Sequence, residues 1–427
     1  MTQETSHSRQ SMPQSLDLHV LEATDSPSAA FAAALLGDFG ASVTVLESNG
    51  GSAVRRLGGI EVQAVWWPIL ARNKRSIALD HKSEASDRVI EVALSKAGIV
   101  FTDDSPMGHR VREVAGRVNT DAVIVRVFNP GADQPQQWSA STQSRFAGLA
   151  TGAVALTGRP DGPPIQAEFP LADHTTGIMA ATLALVELRR ARLSGTRPTP
   201  IELGLHETLQ RMNEWQVVVA SVQGHAEPRN GNRFPMNWNL GNIFATRDDR
   251  LLTVSAATPS VADRLMNMVG GDALRTDPRF STPQARRVHM DALDTEIARW
   301  MRQHDADEAM RQVLENDVVV GPLYDANQLL SDAHVAARGD IVRLNDEQGR
   351  SLAMPAVLPH IESMPGAVRH LGPRPGEGGR EALQSWGFDD TSIDMLTRQG
   401  VFWQAPVALK AGAAQSRLTS THEGDRS

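Results

Sequence analysis

The stretch "LDLHVLEATDSPSAAFAAALLGDFGASVTVLE" (Leu16–Glu47) limits the fold more than any other. Two short apolar runs, Leu16–Ala23 and Ser42–Glu47, read as buried strands. Between them Ser28–Gly40 is alanine-rich and apolar, long enough for a helix and without a hairpin turn. Strands joined through a helix run parallel, because a two-residue turn can only return the chain antiparallel. A parallel pair must in turn be covered on both faces. The alternation continues with a helix at "RVIEVALSKAG", a strand at "IVFT" and a strand at "DAVIVRV". The first third is therefore α/β with a mainly parallel sheet.

Two helices are predicted next, Thr175–Leu193 and Leu205–Ala220, the second with Leu205, Leu209, Met212 and Val219 on one face. The Pro-, Gly- and Asn-rich stretch His225–Asn242 marks a boundary. After it, "NIFAT" and "LLTVSA" read as strands around the turn Arg247–Arg250. Helical patterns follow at Ser260–Val269, Asp291–Gln303 and Asp305–Glu315. "GPLYDANQLLSDAHVAARG" reads as linker plus helix, and "DIVRLNDEQGRSLAMPAVL" as two strands around a turn. The expected division is a loose tail over 1–14, a large α/β domain over 15–225 and a small α+β domain over 226–325. Residues 326–405 form a linker and return to the large domain, and 406–427 a polar disordered tail.

Composition removes several chemistries. The chain of 427 residues has no cysteine, which excludes thiol nucleophiles, disulfides and thiolate metal sites. Its net charge of −8 disfavours nucleic acid as a main partner. No apolar run approaches the roughly 18 residues of a membrane span, and the polar N-terminus lacks a secretion signal, so a cytoplasmic protein is expected. The turn "ATDSPSAAF" (Ala23–Phe31) has no glycine through which a pyrophosphate could approach the backbone, which argues against dinucleotide binding despite the acid Glu47 ending the second strand. There is no G-x-x-x-x-G-K-[ST], G-x-S-x-G or H-E-x-x-H motif. The 13 histidines are scattered; His174 and His206 could approach each other, and no metal site is expected.

Two features remain. Arg55, Arg56, Arg72, Lys74 and Arg75 cluster after the second strand, interleaved with Gly58, Gly59 and "VWWPIL". They suit either solvated loop charges or charge-assisted contacts to a phosphorylated ligand. The second is "PLADHTTGIMAATLALVELRR" (Pro170–Arg190). Its Ile178, Met179, Leu183, Leu185, Val186 and Leu188 predict a helix buried all round, and Arg189, Arg190, Arg192 and Gly195 close it. Asp173 falls at the N-cap. There it is either a structural cap or a preorganised carboxylate nucleophile.

Several motifs together carry a resemblance: "LLGDFGASVTVLE", "RNKRSIALDHKS", "TGAVALTGRPDGPP", "PLADHTTGIMAATLALVELRR", "DPRFSTPQARRVHMDAL", "VVVGPLYDANQLLSDAHVAARG" and "SWGFDDTSIDMLTRQGVF". From Leu16 to Phe402 the sequence resembles the class III CoA-transferases, the group of formyl-CoA transferase, carnitine CoA-transferase and α-methylacyl-CoA racemase. The resemblance implies a large Rossmann-like domain made of N- and C-terminal parts, a smaller α+β domain inserted between them, and an interlocked dimer. It implies that Asp173 is the nucleophile, attacking a donor thioester to form an anhydride and then an aspartyl-CoA thioester. No permanently bound cofactor is implied, and coenzyme A enters as a substrate. Asn73, Lys74, Arg75 and Ser76 lie where the family binds the nucleotide end of CoA. Arg55 and Arg56 are further candidates for phosphate contacts, and Pro106 belongs to the loop lying along CoA. The partners implied are an acyl-CoA and a carboxylic acid, with a homodimer or a heteromer with a second family member.

The chain departs from the family at Pro27 and at Ala29-Ala30 in the first turn, at Asp103-Asp104 in the CoA loop, and at Gln143-Ser144. Racemisation needs a second acid/base opposite the first, and Gln143 cannot serve. The expectation is thus a CoA-transferase. The alternatives are a CoA-binding subunit or weakly active relative, and, behind these, a racemase or isomerase.

Overall fold

A computed structural model describes residues 16–58, 65–128, 140–233 and 240–404, without the side chains of 140–143. Both expected tails, 1–14 and 406–427, lie outside the described residues. The chain forms two compact units. One comprises Gln14–Arg126, Leu183–Ile201 and Arg369–Ser427; the other contains Val127–Thr182 and Glu202–Val368. N- and C-terminal parts therefore do share a unit, while 127–182 and 202–225 group with the central residues rather than with the first strands.

The first unit is built on a parallel sheet. In chain order its elements are β1 (His19–Ala23), α1 (Pro27–Asp38), β2 (Ser42–Ser48), α2 (Trp66–Leu70), β3 (Lys74–Leu79), α3 (Ala85–Lys96), β4 (Ile99–Thr102), α4 (Pro106–Val118) and β5 (Val123–Phe128). β1 pairs in parallel with both β2 and β4, β2 with β3, and β4 with β5. The spatial order β3-β2-β1-β4-β5 is the doubly wound arrangement, in which the strand order reverses between β1 and β4. Phe402–Trp403 returns antiparallel along β3 and closes that edge.

Side chains alternate between the faces of a strand, and here the two faces differ in kind. Leu21, Ala23, Leu46, Ile77 and Leu79 point into an apolar core with α3, α4 and residues from Ala382 to Leu396. The opposite face carries Glu22, Glu47, Lys74 and Ser76, all buried, beneath α1. Half of the buried residues of α1 are alanine, including Ala29 and Ala30, so its backbone comes close enough for Lys74 Nζ to donate to the Ala30 carbonyl at 2.7 Å.

In the second unit come α5 (Ala140–Ala150), α6 (Ala153–Leu156), α7 (Leu171–Ser194, of which residues 183–194 belong to the first unit), β6 (Ile201–Gly204), α8 (Leu205–Met212) and α9 (Glu214–Gln223). The helix predicted over 205–220 is thus two. It breaks at Asn213, whose side-chain amide donates to Gln216 Oε1 at 3.0 Å. A separate antiparallel sheet joins β7 (Leu240–Ala245) to β8 (Leu251–Ala256) and β8 to Val319–Pro322. It packs on helices Pro259–Arg275, Met290–Met301 and Ala306–Glu315 through Leu252, Leu265, Met266, Ile297 and Val313. The hairpin Ile341–Asn345/Ser351–Pro355 forms as the sequence predicts.

One expectation fails plainly. α7 is not buried all round in this single chain: Ile178, Leu185, Val186 and Leu193 are exposed, Val186 at 59% and Leu193 at 73%. Periodicity reports which residues are apolar, not which chain covers them.

Candidate active site

The carboxylate of Asp173 is placed by the start of α7. The helix begins at Leu171, two residues before the predicted cap. Pro170 takes the cap position, its carbonyl accepting the His174 amide at 3.1 Å and lying 3.0 Å from His174 Nδ1. Asp173 is therefore not the N-cap but the third helical residue. It still lies among first-turn N–H groups, at the end of the helix dipole that favours a negative charge. Its exposure is only 4%. A carboxylate so placed is held in one position with little competing water.

The first turn of α7 is tied to α8. Thr176 and Thr208, both fully buried, approach Oγ1 to Oγ1 at 2.7 Å. Thr208 already donates its hydroxyl proton to the Leu205 carbonyl at 2.9 Å, so Thr176 is the donor between them. Gly177, Ala180, Ala181 and Ala184 are buried along α7 and let neighbouring backbone come close. At the head of α8, the Gly204 amide donates to Glu207 Oε2 at 2.6 Å. A Cβ at Gly204 would stand 2.7 Å from the His206 ring, which would have to turn aside for any larger residue. The His206 ring meets Phe128 edge-on at 6.5 Å, and its Nδ1 is buried with no hydrogen-bond partner. His174 and His206 thus have separate surroundings, and among the described residues no group of three His, Asp or Glu could hold a metal. Gln143 lies on α5, but its side chain is outside the described residues.

The basic cluster lies in the other unit, and most of it faces inward. Lys74 is 1% exposed and its ammonium is 2.6 Å from Glu22 Oε2. Burial pushes the Glu22 carboxyl up and the Lys74 ammonium down, and each charge is held by the other. Arg72 makes a bidentate contact with Asp38, which also accepts from Asn73 Nδ2 at 2.9 Å. Asn73 has φ of 64°, and its side-chain oxygen accepts the Arg369 amide at 2.7 Å. Ser76 donates to Glu47 and accepts the Gly376 amide at 2.8 Å. Arg55 pairs with Glu47, donates to the Pro373 carbonyl and lies 3.7 Å over the Trp67 ring. Of the expected CoA ligands, Lys74, Asn73 and Ser76 are therefore structural in their visible contacts. Arg56 and Pro106 are exposed, and Arg75 is half-buried with Nη2 2.6 Å from Ser42 Oγ.

No motif announces that the carboxylates at the strand ends lace the loops together. Asp25 Oδ1 accepts from Ser52 Oγ at 2.9 Å and the Ala53 amide at 2.6 Å, while Asp103 accepts the Asp25 amide at 2.8 Å and the Ser105 amide at 3.0 Å. Burial raises the Asp103 carboxyl above its ordinary range. Asp104 is opposed by its own partial burial, yet the guanidiniums of Arg126 and Arg112 hold it below the usual range.

Comparison with known proteins bears on both halves. The family description "CoA-transferase family III" matches residues 16–378. The chain is 32% identical over 395 residues to succinyl-CoA–D-citramalate CoA-transferase of Chloroflexus aurantiacus, covering 90% of this chain and 97% of that one. It is 27% identical to the beta subunit of succinyl-CoA–L-malate CoA-transferase of the same organism, with 90% and 97% covered. Among solved structures, a CAIB/BAIF family protein from Brucella suis superimposes with a TM-score of 0.74 at 20% identity, covering 86% of this chain and 98% of that one, which shows a shared fold.

Proposed function

Since this chain belongs to CoA-transferase family III, we propose that Asp173 is its nucleophile and carries CoA from an acyl-CoA donor to a free carboxylic acid. An Asp173 oxygen attacks the donor thioester carbonyl; the C–S bond breaks, giving a mixed anhydride and CoA thiolate. The thiolate attacks the aspartyl carbonyl, releasing the donor's carboxylate and leaving an aspartyl-CoA thioester. The acceptor carboxylate attacks that thioester, forming a second anhydride and freeing the thiolate. Attack of the thiolate on the acceptor's acyl carbonyl yields the new acyl-CoA and restores the Asp173 carboxylate. Every intermediate remains activated, so no ATP is required. First-turn N–H groups of α7 are suitable donors to the developing oxyanions.

The observation carrying this reading is a carboxylate 4% exposed in the first turn of a long helix, inside the segment matched by the family. Arg56 and Arg75 are the cations we assign to the CoA phosphates, with Pro106 along the same ligand. Lys74, Asn73 and Ser76 support them from beneath. The apolar surface of α7 is assigned to a second copy of the chain. Burial of each such side chain is worth about 1.5–3 kcal/mol. The named relatives make succinyl-CoA one donor to test.

The experiment is a mass-spectrometric search for a covalent gain on the Asp173 peptide after incubation with a panel of acyl-CoAs, trapped with hydroxylamine. Asp173→Ala should remove the adduct and lower exchange by at least about a thousandfold, the scale of losing a covalent nucleophile. An adduct on another residue, or exchange surviving in Asp173→Ala, refutes the assignment.

A further inference from the structure

The segment before Asp173 lines a small cavity of ≈ 70 Å³ in the second unit, open to solvent on the side where Ile165 and Phe169 are exposed. Leu171 and Ala172 form one wall, and Asp173 is the next residue, with its Cα about 3.8 Å beyond that of Ala172. The other walls are Val154, Ile165, Phe169 and Leu209, and the small residues Gly148 and Ala153 leave the space open. Among the described residues no charged side chain lines it. Two of its polar groups are already engaged. Thr157 Oγ1 donates to the Ala153 carbonyl at 3.0 Å, and Gln166 Nε2 to the Arg145 carbonyl at 3.2 Å.

We propose that this cavity holds the acyl chain while its carbonyl carbon is presented to Asp173, and that it selects short, uncharged aliphatic acyl groups. The inference rests on Asp173 being the nucleophile. An apolar cavity of about 150 Å³ accepts a benzene ring, so one half that size takes roughly three carbons beyond the carbonyl. A second carboxylate would meet apolar walls and no cation among the lining residues to pair with, so it gives up part of its hydration without a compensating charge. Propionyl, butyryl and isobutyryl groups fit both the size and the chemistry. Longer chains, and acyl groups ending in carboxylate, do not.

The test measures kcat/KM of the full-length protein for acetyl-, butyryl-, hexanoyl- and succinyl-CoA with one common acceptor. Butyryl-CoA should exceed hexanoyl- and succinyl-CoA by about tenfold, the scale on which hydrophobic sites discriminate. Ala153→Leu adds three carbons to the wall and should lower the butyryl-to-acetyl ratio about tenfold. Ile165→Ala opens the same wall and should raise the hexanoyl-to-butyryl ratio about tenfold. Because Ile165 is 54% exposed, its truncation leaves a folded protein even where Ala153→Leu does not. Succinyl-CoA exchanging faster than butyryl-CoA, or acyl ratios that neither variant moves, overturns the cavity's role while Asp173 adducts still form. Failure of every acyl-CoA to load Asp173 overturns the nucleophile reading and the cavity's role together.

Discussion

Replacing Lys74 by methionine separates a structural lysine from a phosphate ligand. The side chain keeps its length and loses its charge, so Glu22 remains fully buried without the ammonium 2.6 Å away. Breaking a buried pair by removing one partner costs about 3–5 kcal/mol, whereas replacing both by apolar groups is often neutral or stabilising. Lys74→Met should therefore destabilise the first unit by about 3–5 kcal/mol, and Glu22→Leu with Lys74→Met should recover most of that loss. The penalty depends on pH in a defined direction. Burial already raises the Glu22 carboxyl above its ordinary 4.5, and without Lys74 nothing offsets it. A carboxyl whose folded pKa is raised contributes stability below its unfolded pKa and loses it as pH rises through the folded value. The Lys74→Met defect should accordingly be largest at neutral pH and shrink toward pH 4.5. Because the chain has two units, native-state hydrogen exchange of the β1 and β3 amides is the appropriate assay, since it reports this unit alone. A Lys74→Met protein within about 1 kcal/mol of wild type at pH 7, well below the range for a broken buried pair, with CoA binding weakened tenfold or more, would refute the reasoning and return Lys74 to the ligand.

Two further outcomes follow from the same unit. A Cβ at Gly108 would lie 2.4 Å from the Asp103 carbonyl and 3.0 Å from that of Ala23, so Gly108→Ala should cost about 1–3 kcal/mol by overpacking, measurable as a lowered denaturation midpoint. Arg190, together with the Thr199 amide, holds the Glu187 carboxyl down at about 2; its contribution is complete above the ordinary 4.5 and is lost as pH falls toward 2, so protection of the Thr199 amide should fail over that range and be absent at neutral pH in Glu187→Ala, which removes the acceptor.

What the sequence disclosed was whatever repeats locally. The strand–helix–strand start was legible because its period changes from two to about 3.6 and back, and β2, β4 and the β7–β8 hairpin lie where the pattern puts them. The N-cap of α7 was misplaced by three residues, at Asp173 instead of Pro170, because an acid suits both a cap and a first turn. The break at Asn213 had no glycine or proline to announce it; there the side-chain amide donates to Gln216 Oε1 and to the Thr151 carbonyl. The burial of Lys74 was hidden for a different reason. Its partner Glu22 lies 52 positions earlier, and only the pairing of β1 with β2 and of β2 with β3 brings the two onto one face. The apolar face of α7 looks the same in sequence whether core or a second chain covers it.

The same reasoning removes an apparent obstacle to CoA binding. In an open α/β sheet, ligands bind beyond the carboxyl ends of the strands where the order reverses, here between β1 and β4. This chain places Asp25, Asp103 and Asp104 in the loops there, which looks hostile to a polyphosphate. Yet Asp25 and Asp103 are spent on backbone amides and on Ser52, and Asp104 is paired with Arg126 and Arg112. A carboxylate satisfied by fixed donors projects far less field than a free one, because the donors' partial charges oppose it at short range. Asp25 and Asp103 thus join the loops after β1, β2 and β4 into one edge. These bonds fix the backbone of the turn, as a glycine-rich turn does by other means in a dinucleotide fold. The amides of Asp25, Ala53 and Ser105 are thereby engaged within the protein, which is consistent with our proposal that arginine side chains such as Arg56 and Arg75 meet the phosphates.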